Sequence, residues 1–246
     1  MQPETVLEIV LFTAVLLALG WLLWTMLGYK KDTNDYSQLR DEVAASSQAA
    51  ESTAGDTTLM NLDFDVLYAR CPDAVGWIEC EDVDISYPVV HTDNNDFYLK
   101  HAADGTPNNS GSIFLDASNL GLDEPHVLIY GHNMQDGSMF SALLQYRDEA
   151  FYRTGTDCFL LYTPDHVFRY QIFSVQVVSG NAACYRVGFS PDTAFDAFLQ
   201  ELRAQSLYET GVSVNSDDKV VTLSTCADGS GDSRMVVSAK RIATVQ

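Results

Sequence analysis

Between Gly76 and Cys226 the chain carries a succession of short runs rich in valine, isoleucine, phenylalanine and tyrosine: GWIECEDVDISYPVV, GSIFLD, HVLIY, CFLLYT, FRYQIFSVQVV and KVVTLSTC. Side chains of these types suit a pleated, half-buried surface, and the Asp, Asn, Gly and Pro clusters between the runs are turn chemistry. Strands at this spacing point to a barrel or a sandwich. Two helical patterns accompany them. Met60, Phe64, Leu67 and Tyr68 are spaced for a short amphipathic helix that Pro72 ends. Ser190 is a suitable N-cap with Pro191 at the first helical position, and Phe195, Phe198, Leu199 and Leu202 form one apolar stripe. The expectation is a mainly β, α+β domain spanning residues 59–246.

The N-terminal end has a different composition. Ile9–Leu27 has no charged residue, is about long enough to span a bilayer, and carries Trp21 and Trp24 toward one end. The leader MQPETVLE has no lysine or arginine and the apolar run is long for a signal core, so a retained single-span anchor over residues 1–29 is favoured over a cleaved signal peptide. Lys30 and Lys31 follow the span while Glu4 and Glu8 precede it, which by local charge alone places the C-terminal domain in the cytoplasm. Residues 30–58 are rich in Ser, Ala, Asp, Glu and Thr and read as a flexible or helical tether. The formal net charge of −20 excludes nucleic acid as a natural partner, since a polyanion is repelled.

Residues able to carry covalent chemistry concentrate near the C-terminus. Val220–Leu223 is a buried-strand pattern, Ser224 and Thr225 lead outward, and Cys226 stands where the strand stops. The loop ADGSGDS then closes on Arg234, at the start of the next apolar run. A thiol nucleophile needs a proton-transfer partner and an oxyanion stabiliser. Of the five histidines, His126 opens a strand, His91 and His101 lie in polar connections, and His166 sits in a turn. His132, in IYGHNM, follows a strand and a glycine, on a loop at a sheet edge where catalytic groups tend to sit. The chain has no CxxC or HExxH, no GxGxxG and no P-loop, so neither a metal nor a nucleotide cofactor is expected. Cys71 and Cys80 are near enough in sequence to pair, but with Cys158 and Cys184 they read as structural thiols.

TLSTC at Thr222–Cys226, YGHNM at Tyr130–Met134 and an arginine on the following strand together resemble the class B sortases. The resemblance extends over GWI (76–78), YPVV (87–90), NDFYL (95–99), GSIFLD (111–116) and MF (139–140), in that order, and so covers the chain from about Leu59 onward. It implies a closed eight-stranded β-barrel with an N-terminal helical segment and one helix inserted between late strands. It also implies a cysteine transpeptidase of the Gram-positive cell surface, single-pass in the membrane with its catalytic domain outside. By motif position Cys226 would attack the carbonyl of a threonine in a C-terminal sorting signal. His132 would act as acid and then base, and Arg234 would bind the oxyanion with help from a backbone N–H near Cys226. Asn95, Leu99, Ser224 and Tyr185 would line the substrate groove. The implied partners are surface proteins carrying the signal and an accepting cell-wall amine; a pilin-polymerising or hydrolytic enzyme of the same fold is the alternative. Two departures stand out: Ala227 follows the cysteine where an acidic residue is common, and the loop to Arg234 is short, with Asp228 as a nearby carboxylate.

Overall fold

The computed structural model describes residues 3–45, 53–54, 57–155, 157–228 and 231–245. Eight strands close into a barrel: β1 (Ala74–Cys80), β2 (Ile85–Val90), β3 (Ile113–Leu115), β4 (His126–Tyr130), β5 (Cys158–Tyr162), β6 (Val167–Ser179), β7 (Val220–Cys226) and β8 (Ser233–Thr244). The order around the barrel is β8-β6-β5-β1-β2-β3-β4-β7, with β7 returning to β8. Neighbours are antiparallel except β2/β3 and β4/β7, which run parallel. Every run named from the sequence contributes a strand. The first is divided in two by a 3-10 turn, Glu81–Val83, and by Asp84 at φ 51°. Closure leaves no edge to pair with another chain.

Alternation along β7 and β8 divides the hydrophobic residues between two clusters. Val221, Leu223, Met235, Val237 and Ala239 join Trp77, Ile78, Ile113 and Ile129 in the barrel core. Val220 and Val236 point the other way, and with Phe173 they meet Phe195, Phe198, Leu199 and Leu202 of a helix laid over the outer face. Full burial of each such side chain contributes roughly 1.5–3 kcal/mol. The remaining helices are α1 (Pro3–Ala45), α2 (Phe64–Arg70) and the one-turn α3 (Glu149–Tyr152), and the covering helix is α4 (Thr193–Ala204).

Both expected helix starts shift to an aspartate. Asp63 Oδ1 accepts from the N–H groups of Asp65 and Val66, so α2 begins at Phe64 and Met60 lies outside it. Asp192 Oδ1 accepts from Ala194 and Phe195, so α4 begins at Thr193, and Ser190 and Pro191 precede the helix. A carboxylate beside the helix N-terminus satisfies two orphan donors and opposes the helix dipole, which favours it over the serine hydroxyl upstream.

The N-terminal reading needs a larger revision. One helix, α1, runs through the expected span and into the expected tether. Tyr36, Leu39 and Val43, 0–7% exposed, belong to the barrel's own core cluster, so this stretch is packed and does not act as a free spacer. Residues 46–52 and 55–56 of that segment lie outside the described residues. Nearer the start, Leu11, Phe12, Leu17, Trp21 and Leu23 are all more than half exposed. The side chains of residues 1–10 and 24–27 lie outside the described set, and among the described residues no helix is long and apolar enough to cross a membrane.

Candidate active site

Cys226 ends β7, and its register partner on β8 is Arg234. The next pair along is bonded: the Ala227 N–H donates to the Ser233 carbonyl at 2.9 Å. In an antiparallel ladder bonded and non-bonded pairs alternate, so Cys226 and Arg234 form a non-bonded pair, the kind that brings side chains closest. Both project to the outer face, and both are half-buried. Strand geometry alone therefore puts the cysteine and the arginine at neighbouring positions of one face. Arg234 Nη1 donates to the carbonyls of Gly231 and Ser233 at 3.0 and 3.1 Å, which fixes the fork against its own strand end.

His132 arrives through the parallel pairing of β4 with β7. Tyr130 is opposite Ser224, and the Gly131 N–H donates to the Ser224 carbonyl at 3.1 Å. Two residues further on, His132 and Cys226 come to the same level. Asn133 joins the two strand ends directly, its Nδ2 donating to the Cys226 carbonyl at 2.9 Å. His132 Nε2 lies 2.8 Å from the Leu99 carbonyl, an acceptor only, so Nε2 carries a proton. In the neutral ring the basic lone pair is then on Nδ1. Gly131 has to be a glycine, since a Cβ there would come within 2.8 Å of the Phe140 ring.

Three of the expected substrate residues, Tyr185, Ser224 and Asn95, belong to a linked set. Tyr185 Oη is 2.8 Å from Ser224 Oγ, and its ring stacks on Tyr130 with centroids 6.2 Å apart. Burial pushes the Tyr185 phenol up to about 12, while the nearby Arg234 charge and the Ser224 contact oppose that rise. Tyr130 Oη donates to Asp116 Oδ2 at 2.9 Å, and Asn95 Nδ2 donates to the same oxygen at 2.9 Å. Asn95 Oδ1 also accepts from the Ala117 N–H at 2.8 Å, so this side chain works as a strut and uses one of its two amide hydrogens on Asp116. Leu99 holds His132 through its carbonyl and packs its half-buried side chain on the barrel core. Asp116, Tyr130 and Asn133 are the members that sequence reasoning passed over. Two of them stand inside the YGHNM motif, and the third closes GSIFLD.

The loop after the cysteine is held by bonds of its own. The Ala227 N–H, the obvious amide to assist an oxyanion, is occupied by the Ser233 carbonyl. Asp228 lies 3.5 Å from Arg147, which also donates to the Ala227 carbonyl at 3.0 Å, so this carboxylate braces the loop from its outer side. The remaining cysteines are all unpaired. Burial pushes Cys71 and Cys80 up to about 12 and Cys158 and Cys184 up to about 11, keeping them as thiols. Among the described residues no cluster of three or more His, Cys, Asp or Glu is arranged to hold a metal ion.

A half-buried cysteine whose strand lies between one that carries an arginine and one that leads to a histidine suits acyl transfer through a thioester. Comparison with known proteins gives the same direction. The Sortase domain family model matches residues 78–242. Sortase B of Listeria monocytogenes is 35% identical over 175 residues, 69% of this chain and 70% of that protein. The fold is similar to a Staphylococcus aureus sortase B–substrate complex, with TM-score 0.77 and 26% identity over 89% of this chain and 100% of that one. It is also similar to sortase B from Bacillus anthracis, with TM-score 0.74 and 29% identity over 88% of this chain and 99% of that one.

Proposed function

The chain belongs to the class B sortases, cysteine transpeptidases of this barrel fold, and from that premise we propose that it attaches proteins bearing a C-terminal sorting signal to a cell-wall amine through a thioester on Cys226. The observation that carries this reading is the direct pairing of Cys226 with Arg234 at the end of the β7–β8 ladder. The Cys226 thiol gives its proton to His132 Nδ1, the thiolate attacks the carbonyl carbon of the signal's threonine, and Arg234 takes up charge on the carbonyl oxygen. The C–N bond breaks as His132 Nδ1–H protonates the leaving nitrogen. The incoming amine then loses its proton to Nδ1 as it attacks the thioester, and the thiolate departs. Throughout, Nε2–H stays on the Leu99 carbonyl, so the ring is held while its other nitrogen exchanges protons. Tyr185, Ser224, Leu99 and the remaining Asn95 amide hydrogen are assigned to the signal peptide.

The apolar N-terminal stretch is assigned to a single membrane span, with the barrel on the outer surface where signal-bearing proteins and wall amines meet. Its exposed Leu, Phe and Trp side chains support that assignment. The flanking lysines do not prevent it, since large domains translocate largely regardless of local charge.

The test is mass spectrometry of the detergent-solubilised chain incubated with a panel of sorting-signal peptides, with and without a peptidoglycan-stem amine. A thioester on Cys226 that passes to the amine is the expected result. Release to water alone would replace transpeptidation by hydrolysis, and transfer only to a pilin lysine would make the protein a polymerase. Acyl transfer surviving in Cys226→Ala would end the mechanism.

A further inference from the structure

The imidazole of His132 rests on a segment with little regular structure of its own. Residues 97–112 contribute the Leu99 carbonyl to Nε2. They also contribute Gly111, which is at φ 60° and would carry a Cβ 3.0 Å from His132 Cδ2 and 2.6 Å from the Tyr98 carbonyl. Only a glycine admits both that conformation and that approach. The segment folds on itself through a 3-10 turn at Phe97–Leu99, a bridge between His101 and Pro107, and local bonds that include the Ala102 N–H on the Thr106 carbonyl at 2.8 Å, the Asn108 N–H on the Lys100 carbonyl at 2.9 Å and the Ser112 N–H on the Tyr98 carbonyl at 2.9 Å. Tyr98 Oη also donates to Asp73 Oδ2 at 2.8 Å. A further point that fixes it lies on another element.

That point is the phenol of Tyr36, on α1. Its hydroxyl donates to the Gly111 carbonyl at 2.7 Å and accepts from the Ala103 N–H at 3.3 Å. It lies 3.1 Å from Ser112 Oγ, which itself donates to the His101 carbonyl at 2.8 Å. One oxygen thus ties three points of the segment together. The Tyr36 ring stands edge-on to Tyr87, centroids 5.4 Å apart. Tyr87 Oη accepts from the Met139 N–H at 3.0 Å. Met139 bridges Asn133, and the next residue, Phe140, donates its N–H to the His132 carbonyl at 2.9 Å. Tyr36 therefore supports the histidine from two directions: its hydroxyl through the segment under the ring, its aromatic face through the loop that carries the residue. Burial raises the Tyr36 phenol well above its usual range, so it remains a donor. Leu39 and Val43 seat the same helix, and the Val43 carbonyl accepts from Asp63 at 3.1 Å.

We propose that Tyr36 is a positioning residue for His132, so that the helix continuing from the apolar N-terminal stretch is part of the catalytic scaffold. The proposal rests on the acid–base reading of His132. It also makes activity depend on the seating of α1, a link by which strain on the anchored end reaches the acid–base group.

The experiment compares the full-length, detergent-solubilised protein with its Tyr36→Phe and His132→Ala variants. The phenylalanine keeps the ring against Tyr87 and removes only the hydroxyl. Two probes are used: the peptide of the panel that acylates Cys226, and iodoacetamide alkylation of Cys226, which needs no substrate. In Tyr36→Phe, kcat is expected to fall about ten-fold with KM nearly unchanged, because misplacing a catalytic group costs the chemical step and not binding. The limb of the alkylation pH profile that disappears in His132→Ala is expected to move in Tyr36→Phe, while thermal unfolding stays cooperative. Wild-type kcat and an unmoved limb in Tyr36→Phe would overturn the proposal, as would a loss confined to KM. Turnover surviving in His132→Ala would remove the acid–base reading and this inference with it; abolition there alongside wild-type behaviour in Tyr36→Phe removes the inference alone.

Discussion

Acid should unfold this protein in part through one histidine that takes no part in catalysis. His126 opens β4 and is fully buried, with Nδ1 2.7 Å from the Arg186 carbonyl, Nε2 2.8 Å from Thr222 Oγ1, and the Phe198 ring 5.1 Å away. The carbonyl is an acceptor only, so Nδ1 carries the proton and Nε2 accepts from the threonine hydroxyl, which in turn lies 2.9 Å from Ser238 Oγ. Burial pushes this imidazole from 6.5 down to about 4; the Arg186 carbonyl opposes the fall and the Arg186 charge adds to it. Between those two values the unfolded chain binds a proton that the folded chain refuses. Stability therefore rises with pH across the window and is lost as pH falls through it. The gap corresponds to about 3 kcal/mol, a large part of a typical domain's stability. Urea titrations of the full-length protein in mild nonionic detergent, from pH 7.5 to 4, measure this against His126→Gln. The many carboxylates contribute alike to both proteins and cancel in the difference. The wild-type advantage should shrink by about 3 kcal/mol toward the acid end. Parallel pH dependences would refute the reasoning, since they would mean that the buried ring takes up its proton without cost.

Three further outcomes are expected. Arg234→Lys should lower kcat/KM for peptide acylation by about 100-fold with the melting temperature retained, because a point charge cannot both hold the Gly231 and Ser233 carbonyls and face the oxyanion; steady-state kinetics reads it. Asp116→Ala leaves the Tyr130 hydroxyl and the Asn95 amide without their shared acceptor. It should raise KM for the peptide and cost about 1–3 kcal/mol in urea unfolding. Asp192→Ala removes the cap of α4 and should cost about 1 kcal/mol, with kcat and KM unchanged.

What could be read from the sequence was what lies close along the chain or repeats with a strand's period. Cys226 and Arg234 are joined by one short loop and share parity across it, so their common face follows once two antiparallel strands are granted. The apolar stripe of α4 was legible for the same reason, whereas its first residue was not, because Ser190 and Asp192 are both competent caps and only the packed helix decides between them. His132 is a different case. It reaches Cys226 through a parallel pairing of β4 with β7, a register no local pattern encodes, and only the YGHNM motif marked it. Tyr36 carried no signal. It stands among Asn, Asp, Ser and Gln in a stretch whose composition reads as a spacer, and its partners Ala103, Gly111 and Ser112 follow 67 to 76 residues later.

The same alternation that builds the core also sets the chemistry. On β7, Val221, Leu223 and the buried Thr225 face the interior, while Ser224, buried under Tyr185, and half-buried Cys226 share the outer face. A slip of one residue would carry the thiol into the barrel and bring Thr225 and Leu223 out, so every buried contact of the odd residues works against displacement of the nucleophile. The ladder is also held near its two ends, by Ala227 on Ser233 at the site and by Arg241 on the Lys219 carbonyl at 2.8 Å beyond the far end. The nucleophile and its cation therefore share the stability of the strand pair. The histidine has no such strand beneath it. It lies on a loop, held at its carbonyl by the Phe140 N–H and at Nε2 by the Leu99 carbonyl, on a segment to which the Tyr36 hydroxyl of α1 bonds. Of the three groups assigned to the reaction, His132 is accordingly the one that the proposed link to α1 reaches.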